Sequence, residues 1–563
     1  MTSKQYLKGK QQKPTNDFYE LTFGDLLDQR AEEYEDKDAI LYIEPREMSW
    51  SFKEYRDICT KVAGALIKTG VKKGDKVSVW AANVPEWIFA LGGTAKMGGV
   101  LVTVNTNYRA HELEYLLHQS DTHTLFLTEG LKDNNYLESL YTIAPELKEC
   151  KPGALVSERL PLLKNVVVIS DKKFPGTFTW NEFMRLGDEV SAETVYSYQK
   201  MCKPEDAFNM QFTSGTTGFP KGVMLTHSNV INNAWYVGEA QNYTDAERLC
   251  IPVPFFHCFG LTMSITTCLV HGAVQIPLPS YHPRSLLKTL EKGRATACQG
   301  VPTMWIGMLE TPGFDNYDLR YLRTGIMAGS LCPEHTMKQV EEKLAPEITI
   351  AYGLTEASPV ITMTRITDTF ERRITTVGQV MPHIEVQIRD LASGKAVSPG
   401  VEGEICSRGY HTMLGYYKMD KETEEAFYDD GFLRTGDIGV MDEEGFIKVT
   451  GRYKEMIIRG GENIYPREVE EFLYHHPKVL EAQVIGVPSS RYGEEVAAYI
   501  ILKQGQSATE DEIKDFCQGK ISRHKIPKYV KFVKQYPMTA SGKVKKYVLR
   551  EQAIVDFNLA NEL

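Results

Sequence analysis

What this sequence lacks narrows its reading first. None of its ten cysteines stands in a Cys-x-x-Cys pair, and all are scattered singly through apolar contexts. That pattern offers neither a zinc site nor a disulfide framework, so buried reduced thiols in a cytoplasmic protein are the expectation. The stretch from Met1 to Glu20 is polar and lysine-rich, without the apolar segment of a secretory signal. The most apolar later stretch, Gly260 to Pro279, is broken by His271, several threonines and two prolines, so no membrane span is expected. An excess of positive charge is missing too. With 64 basic against 74 acidic residues the net charge is -10, which argues against broad electrostatic binding to nucleic acid or an anionic membrane. A local basic groove for a phosphate-rich ligand stays open, and the stretch from Lys520 to Arg550 is rich in lysine. Internal repeats and low-complexity tracts are absent.

What is present is ample material for a large core. The 563 residues are 42% hydrophobic and 25% charged, the balance of an ordinary globular protein. That length suggests roughly two to four structural units. Val77 to Trp80 reads as a buried strand, Pro85 opens a helix that ends at Gly98-Gly99, and Val100 to Val104 is the next strand. His111 to Gln119 reads as a helix, followed by strands at Thr124 to Leu127 and Val166 to Ile169. Alternating strands and helices predict a largely parallel α/β sheet covered on both faces. After about Gly378 short strands separated by Gly and Asp turns take over, at Glu385 to Ile388, Gly403 to Ser407 and Phe446 to Thr450. They suggest a small β-rich subdomain. Beyond a boundary near Lys454 the pattern is α+β, with helices at Pro466 to Leu473 and Asp511 to Ile521 and strands at Glu481 to Val487 and Glu495 to Leu502.

The strongest local signal is Thr213-Ser214-Gly215-Thr216-Thr217-Gly218-Phe219-Pro220-Lys221-Gly222, directly after the apolar run Phe208 to Phe212. Glycines let the backbone turn sharply and aim N–H groups at an anion, hydroxyls add donors and Lys221 adds charge. The combination suits a polyphosphate. It is not a Walker A loop, because Pro220 stands where the second glycine belongs. A flexible glycine- and hydroxyl-rich surface loop is the bland alternative. The segment resembles the signature loop of the adenylate-forming superfamily: acyl-CoA synthetases, luciferases and peptide-synthetase adenylation domains. The resemblance continues in order from roughly Asp25 to Arg550.

That resemblance assigns expectations residue by residue. It implies an N-terminal adenylate-forming domain over 1–453 and a mobile C-terminal domain over 454–563. Thr213 to Gly218 and Lys221 would hold ATP phosphates. His257, within Pro254 to Gly260, would sit beside the substrate carboxylate and α-phosphate, where an imidazole can donate to developing negative charge. Its local pattern alone favours a core histidine packed by Phe255 and Phe256, and the resemblance reverses that reading. Gly329 and Ser330 would let a ligand approach the backbone. In Tyr352-Gly353-Leu354-Thr355-Glu356, Tyr352 would stack on adenine, Thr355 touch the α-phosphate and Glu356 hold Mg²⁺. Asp437, in Leu433 to Asp437, would accept from both ribose hydroxyls, with Arg452 reaching the same sugar. Lys454 matches the hinge position. Gly460, Gly461 and Glu462 resemble a pantetheine channel, although a tight turn explains them as well. Lys543, at the end of Pro537 to Lys543, resembles the catalytic lysine, while its neighbours Lys545 and Lys546 are expected to be solvated. By analogy of position Trp235, Val301, Trp305, Gly329 and the Pro359 region would line the acyl pocket.

The implied reaction joins a carboxylic acid to coenzyme A at the expense of ATP, through an acyl-adenylate, with Mg²⁺. The segment Arg459 to Glu471 and the turn Tyr492 to Glu495 look most like medium-chain fatty acyl-CoA synthetases, so a medium-chain, cyclic or aromatic acid is expected. A homodimer is compatible with this reading. Rival readings are a luciferase-like enzyme with another acceptor, for which no oxygenation site is visible, and a peptide-synthetase module, disfavoured because the chain ends at Leu563 without a carrier domain. A catalytically silent nucleotide-binding protein is the third, and intact Lys543, Glu356 and Arg452 weigh against it.

Overall fold

Two large sheets follow from the buried β-branched runs. In the computed structural model, which describes residues 8–562 except 15, 214–219, 330–331, 333, 461, 540–542 and 561, the first sheet has eight strands. Its centre is parallel: Ala207–Thr213, Val100–Thr103, Lys76–Trp80, Thr122–Leu127 and Asn165–Val168 lie side by side. Lys221–Thr226 turns back antiparallel on Ala207–Thr213, pairing Lys221 with Thr213, and the short strand Gly415–Tyr416 closes that edge. The second sheet has nine strands, with Arg248–Ile251, Ala297–Gly300, Thr324–Met327 and Glu347–Gly353 parallel at its heart.

The two sheets share one apolar layer, in which Val77, Val79, Leu249, Ile251 and Ile326 join a single cluster. Separate clusters cover their outer faces. Helices Pro85–Lys96 and His227–Ala240 are buried nearly all round, as segments sandwiched between sheets must be. Pro85 sits in the first turn, where its missing N–H leaves no gap. A four-stranded antiparallel sheet follows, made of Ile384–Arg389, Gly403–Gly409, Leu433–Met441 and Ile447–Arg452. The C-terminal unit is a five-stranded sheet with helices Pro466–Tyr474, Glu510–Cys517 and Lys546–Asp556 and apolar clusters of its own.

Some expectations need adjustment. The helix expected to reach Ile521 stops at Cys517, because Gly519 takes the left-handed conformation (φ +70°) and the N–H groups of Lys520 and Ile521 return to the Cys517 carbonyl. The apolar stretch after Gly260 folds as a buried π-helical turn, Leu261–Thr266, a helix Thr267–His271 and the strand Val274–Pro277. Among the described residues no helix is long and apolar enough to cross a membrane. All ten cysteines are free thiols.

Candidate active site

Strand direction places the site. Ligands of open parallel sheets gather where strands end at their carboxyl side, and the sequence-derived candidates lie there. Thr213 ends one strand and faces Lys221 across the hairpin; the rest of that loop, Ser214, Gly215, Thr216, Thr217 and Gly218, lies outside the described residues. Gly329 follows the strand Thr324–Met327 in the left-handed region (φ +91°), and a Cβ there would come within 3.1 Å of Val301. Ser330 is outside the described residues. Gly353 ends its strand against the Pro359 carbonyl, where a Cβ would intrude to 1.8 Å, so no larger residue fits. A 3-10 turn, Thr355–Ala357, then presents Thr355 and Glu356.

His257 caps the short helix Cys258–Gly260 through Nδ1, which accepts the Phe259 N–H at 3.2 Å. That bond leaves the proton of the neutral ring on Nε2, the tautomer that can donate onward. Burial, with Lys543 second, lowers the His257 pKa to about 3, so the ring is neutral at physiological pH. Cys258 accepts from the Thr355 hydroxyl at 3.7 Å, and burial raises its thiol pKa to about 11. Asn83 fixes the loop: its amide donates to Val253 O (2.9 Å) and Leu278 O (3.1 Å), and its oxygen accepts the Phe255 N–H (2.9 Å).

A second group surrounds Asp437. The buried carboxylate accepts from the Tyr352 hydroxyl at 2.8 Å and from Arg452 Nε at 2.7 Å. Asp437 and Arg452 are cross-strand partners, so sheet register alone brings them together. Asp437 above all raises the Arg452 pKa, keeping it cationic. Each carboxylate oxygen keeps a further lone pair for a ligand hydroxyl.

The C-terminal unit completes the cluster. Lys543 closes a small turn in which its N–H donates to Thr539 Oγ1 (2.9 Å) and its carbonyl accepts the Thr539 N–H (2.7 Å). The residue as a whole is solvent-accessible, yet its ammonium is crowded by protein. Burial, then Arg452, lowers its pKa, while Cys258, Asp437 and Glu356 act in the opposite direction. Residues far apart in sequence thus act electrostatically on one ammonium. Its neighbour Lys546 is not solvated as expected. It pairs with Glu470 at 2.8 Å and Glu455 at 3.2 Å, tying the lysine turn to the short helix Tyr453–Glu455. Lys454 lies in that helix.

Other expectations are redistributed. Gly460 turns a tight hairpin (φ +60°) between Ile457–Arg459 and Glu462–Ile464, with Gly460 and Glu462 exposed, while Gly461 is outside the described residues. Trp235 and Val301 are buried in the layer between the two sheets. Trp305 is not with them: it is fully buried on the outer face of the second sheet, its ring against Gly325 and its N–H donating to Gly300 O at 3.3 Å. Packing, not a ligand, accounts for that tryptophan. The sequence reading gave no role to Asn83 or Tyr416. The Tyr416 hydroxyl donates to Glu356 at 2.8 Å, and Lys221 lies 4.6 Å from the centre of its ring.

Comparison with known proteins gives the family. The sequence model of the family described as AMP-binding enzyme matches residues 27–417, and that of the AMP-binding enzyme C-terminal domain matches residues 468–543. This chain belongs to the AMP-binding enzyme family. It is 51% identical over 541 residues to a putative acyl-CoA synthetase, YngI, of Bacillus subtilis, covering 96% of this chain and 98% of the relative. It is 40% identical over 545 residues to the mitochondrial medium-chain acyl-CoA ligase ACSF2 of Bos taurus, covering 96% of this chain and 88% of the relative. Among solved structures, ATP-bound MatB from Rhodopseudomonas palustris superposes with a TM-score of 0.81 at 27% identity, covering 94% of this chain and 99% of the other. The large N-terminal and small C-terminal units are those of adenylate-forming enzymes.

Proposed function

We propose that this ligase converts a medium-chain or ring-bearing carboxylic acid, ATP and coenzyme A into acyl-CoA, AMP and diphosphate, with Lys543 supplying the decisive charge. The observation that carries the proposal is that the Lys543 ammonium lies within electrostatic reach of His257, Glu356, Asp437 and Arg452, beside the carboxyl ends of the parallel strands.

A carboxylate is a poor acyl donor because oxide would have to leave. In the proposed first step a carboxylate oxygen attacks the α-phosphorus, the bond to the β-phosphate oxygen breaks and diphosphate departs. Two anions must approach, so preorganised positive charge and donors do most of the catalysis. Lys543 and Lys221 supply charge, the Nε2–H of His257 supplies a donor, and Asp437 with Arg452 holds the ribose. In the second step the thiol sulfur attacks the acyl carbonyl, the bond to the AMP oxygen breaks, and the thiol proton passes to solvent.

Mg²⁺ suits the Glu356 corner. One of its oxygens is held by Tyr416, and the other accepts no hydrogen bond among the described residues. Among those residues no group of three or more His, Cys, Asp or Glu forms a cage. A single carboxylate shared with phosphate oxygens and waters is the usual setting for this hard ion, whose charge would offset that of the triphosphate.

We place the pivot at Lys454 and the C-terminal domain beyond it. Moving Lys543 away after adenylation would clear the path for the thiol. The name of the bovine relative supports the medium-chain reading. Ten unpaired thiols support a cytoplasmic location, although the bovine relative is named mitochondrial. Incubation with a panel of acids, reading diphosphate release and acyl-CoA separately, tests the proposal. Acid-dependent diphosphate release, followed by thioester only when coenzyme A is added, is the expected pattern. Thioester formation that leaves ATP uncleaved, or diphosphate release indifferent to the acid, would refute it.

A further inference from the structure

Tyr416 occupies a place that neither the motifs nor the reaction scheme assigns. It lies on the edge strand Gly415–Tyr416, which is pinned to two other site segments at once. Its register partner is Val223, and the flanking N–H groups of Leu414 and Tyr417 donate to Met224 and Gly222, next to Lys221. On the other side the Met413 N–H donates to the Glu356 carbonyl at 2.9 Å. Gly415 has an extended positive φ (+141°), and a Cβ there would meet Thr423 at 2.8 Å. The Thr423 hydroxyl in turn accepts the Tyr416 N–H at 2.9 Å. The backbone under Tyr416 is therefore fixed relative to both Lys221 and Glu356.

We propose that Tyr416 is a positioning residue whose hydroxyl orients the Glu356 carboxylate toward a divalent cation while its ring face holds the Lys221 ammonium at the phosphate loop. The hydroxyl donates to Oε1 at 2.8 Å, restraining the carboxylate rotation, and Oε2 accepts no hydrogen bond among the described residues. A carboxylate that ligates a metal is ordinarily itself hydrogen-bonded, and that outer contact tunes affinity. The ammonium lies 4.6 Å from the ring centroid, within cation–π range. One side chain thus couples the two oppositely charged groups proposed to grip the triphosphate. An alternative role in packing alone is served equally well by phenylalanine, and that difference makes the proposal testable.

The proposal rests on the roles given above to Glu356 and Lys221. The test is calorimetric binding of α,β-methylene-ATP, which cannot be cleaved at the reacting bond, in EDTA and across a Mg²⁺ series. Tyr416→Phe is expected to raise the Mg²⁺ concentration at half-saturation about tenfold, as expected for losing one hydrogen bond to a charged group. Its affinity in EDTA should stay within about twofold of the parent, since the ring face under Lys221 is kept. Tyr416→Leu should shift the Mg²⁺ series equally and also weaken binding in EDTA. If Glu356→Gln shifts the Mg²⁺ midpoint and Tyr416→Phe does not, the proposal is overturned while the role of Glu356 stands. If neither substitution shifts it, the metal reading of Glu356 falls, and the proposal with it.

Discussion

The two ends of the second sheet carry opposite kinds of electrostatics. At the amino ends of its parallel strands, Arg323 is buried with its five N–H groups all engaged. They reach Glu247 (3.1 and 2.6 Å), Glu347 (2.7 Å) and the carbonyls of Gln241 (3.0 Å) and Asn242 (3.1 Å). At the carboxyl ends of the same strands charge is left incompletely matched. There Lys543 has a lowered pKa, Glu356 keeps one oxygen without a hydrogen bond among the described residues, and His257 is held neutral. A saturated network holds a fold together and can do no chemistry, whereas an unsaturated one attracts an anion. Removing one partner therefore has different consequences at the two ends.

The largest effect is expected at the unsaturated end. Lys543→Ala should lower acid-dependent diphosphate release roughly a thousand-fold, comparable to deleting one preorganised donor to transition-state charge, with the unfolding midpoint unchanged. At the saturated end Arg323→Met should strip the buried Glu247 and the half-buried Glu347 of their guanidinium partner and cost about 3 kcal/mol in denaturant unfolding, with the KM for ATP unchanged. Loss of ATP affinity without loss of stability in Arg323→Met would erase the contrast between the ends.

Acidification sharpens the comparison. His227, His257 and His411 have pKa values lowered to about 3 and His271 to about 4, each chiefly by burial, from an ordinary value of 6.5. Below that ordinary value the unfolded chain binds protons that the folded chain refuses. Stability should be fully present above pH 6.5 and fall as pH drops toward the folded values, by about 1.4 kcal/mol per pH unit for each histidine. Urea unfolding between pH 8 and 4 checks this, and a flat profile would contradict it. The lowered pKa of Lys543 acts on rate: adenylation should fade at an alkaline pH below 10.5, where the ammonium is lost. The smallest effect belongs to Tyr352→Phe. Losing one hydrogen bond to Asp437 should raise the KM for ATP several-fold, about 1 kcal/mol.

Much of this was legible in the chain. Runs such as Val77 to Trp80 can be buried only as central strands, and Pro85 marks a helix start on steric grounds alone. Thr355, Glu356, Asp437 and Lys543 sit in contiguous motifs, so short segments carried their signal. Tyr416 and Asn83 were silent because their partners lie 60 and 170 residues away, and only the topology joins them. Trp305 misled for the converse reason: residue type does not say which face of a sheet a tryptophan covers. Lys546 looked solvated because nothing near it in sequence reveals Glu455 and Glu470.

The central claim is that charge brought from the C-terminal unit serves the first half-reaction and not the second. Supplying Lys543→Ala with preformed acyl-adenylate and coenzyme A, and timing thioester formation, tests it most directly. A rate within a few-fold of the parent enzyme, beside a crippled adenylation step, is the predicted result; thioester formation reduced as deeply as adenylation would contradict it.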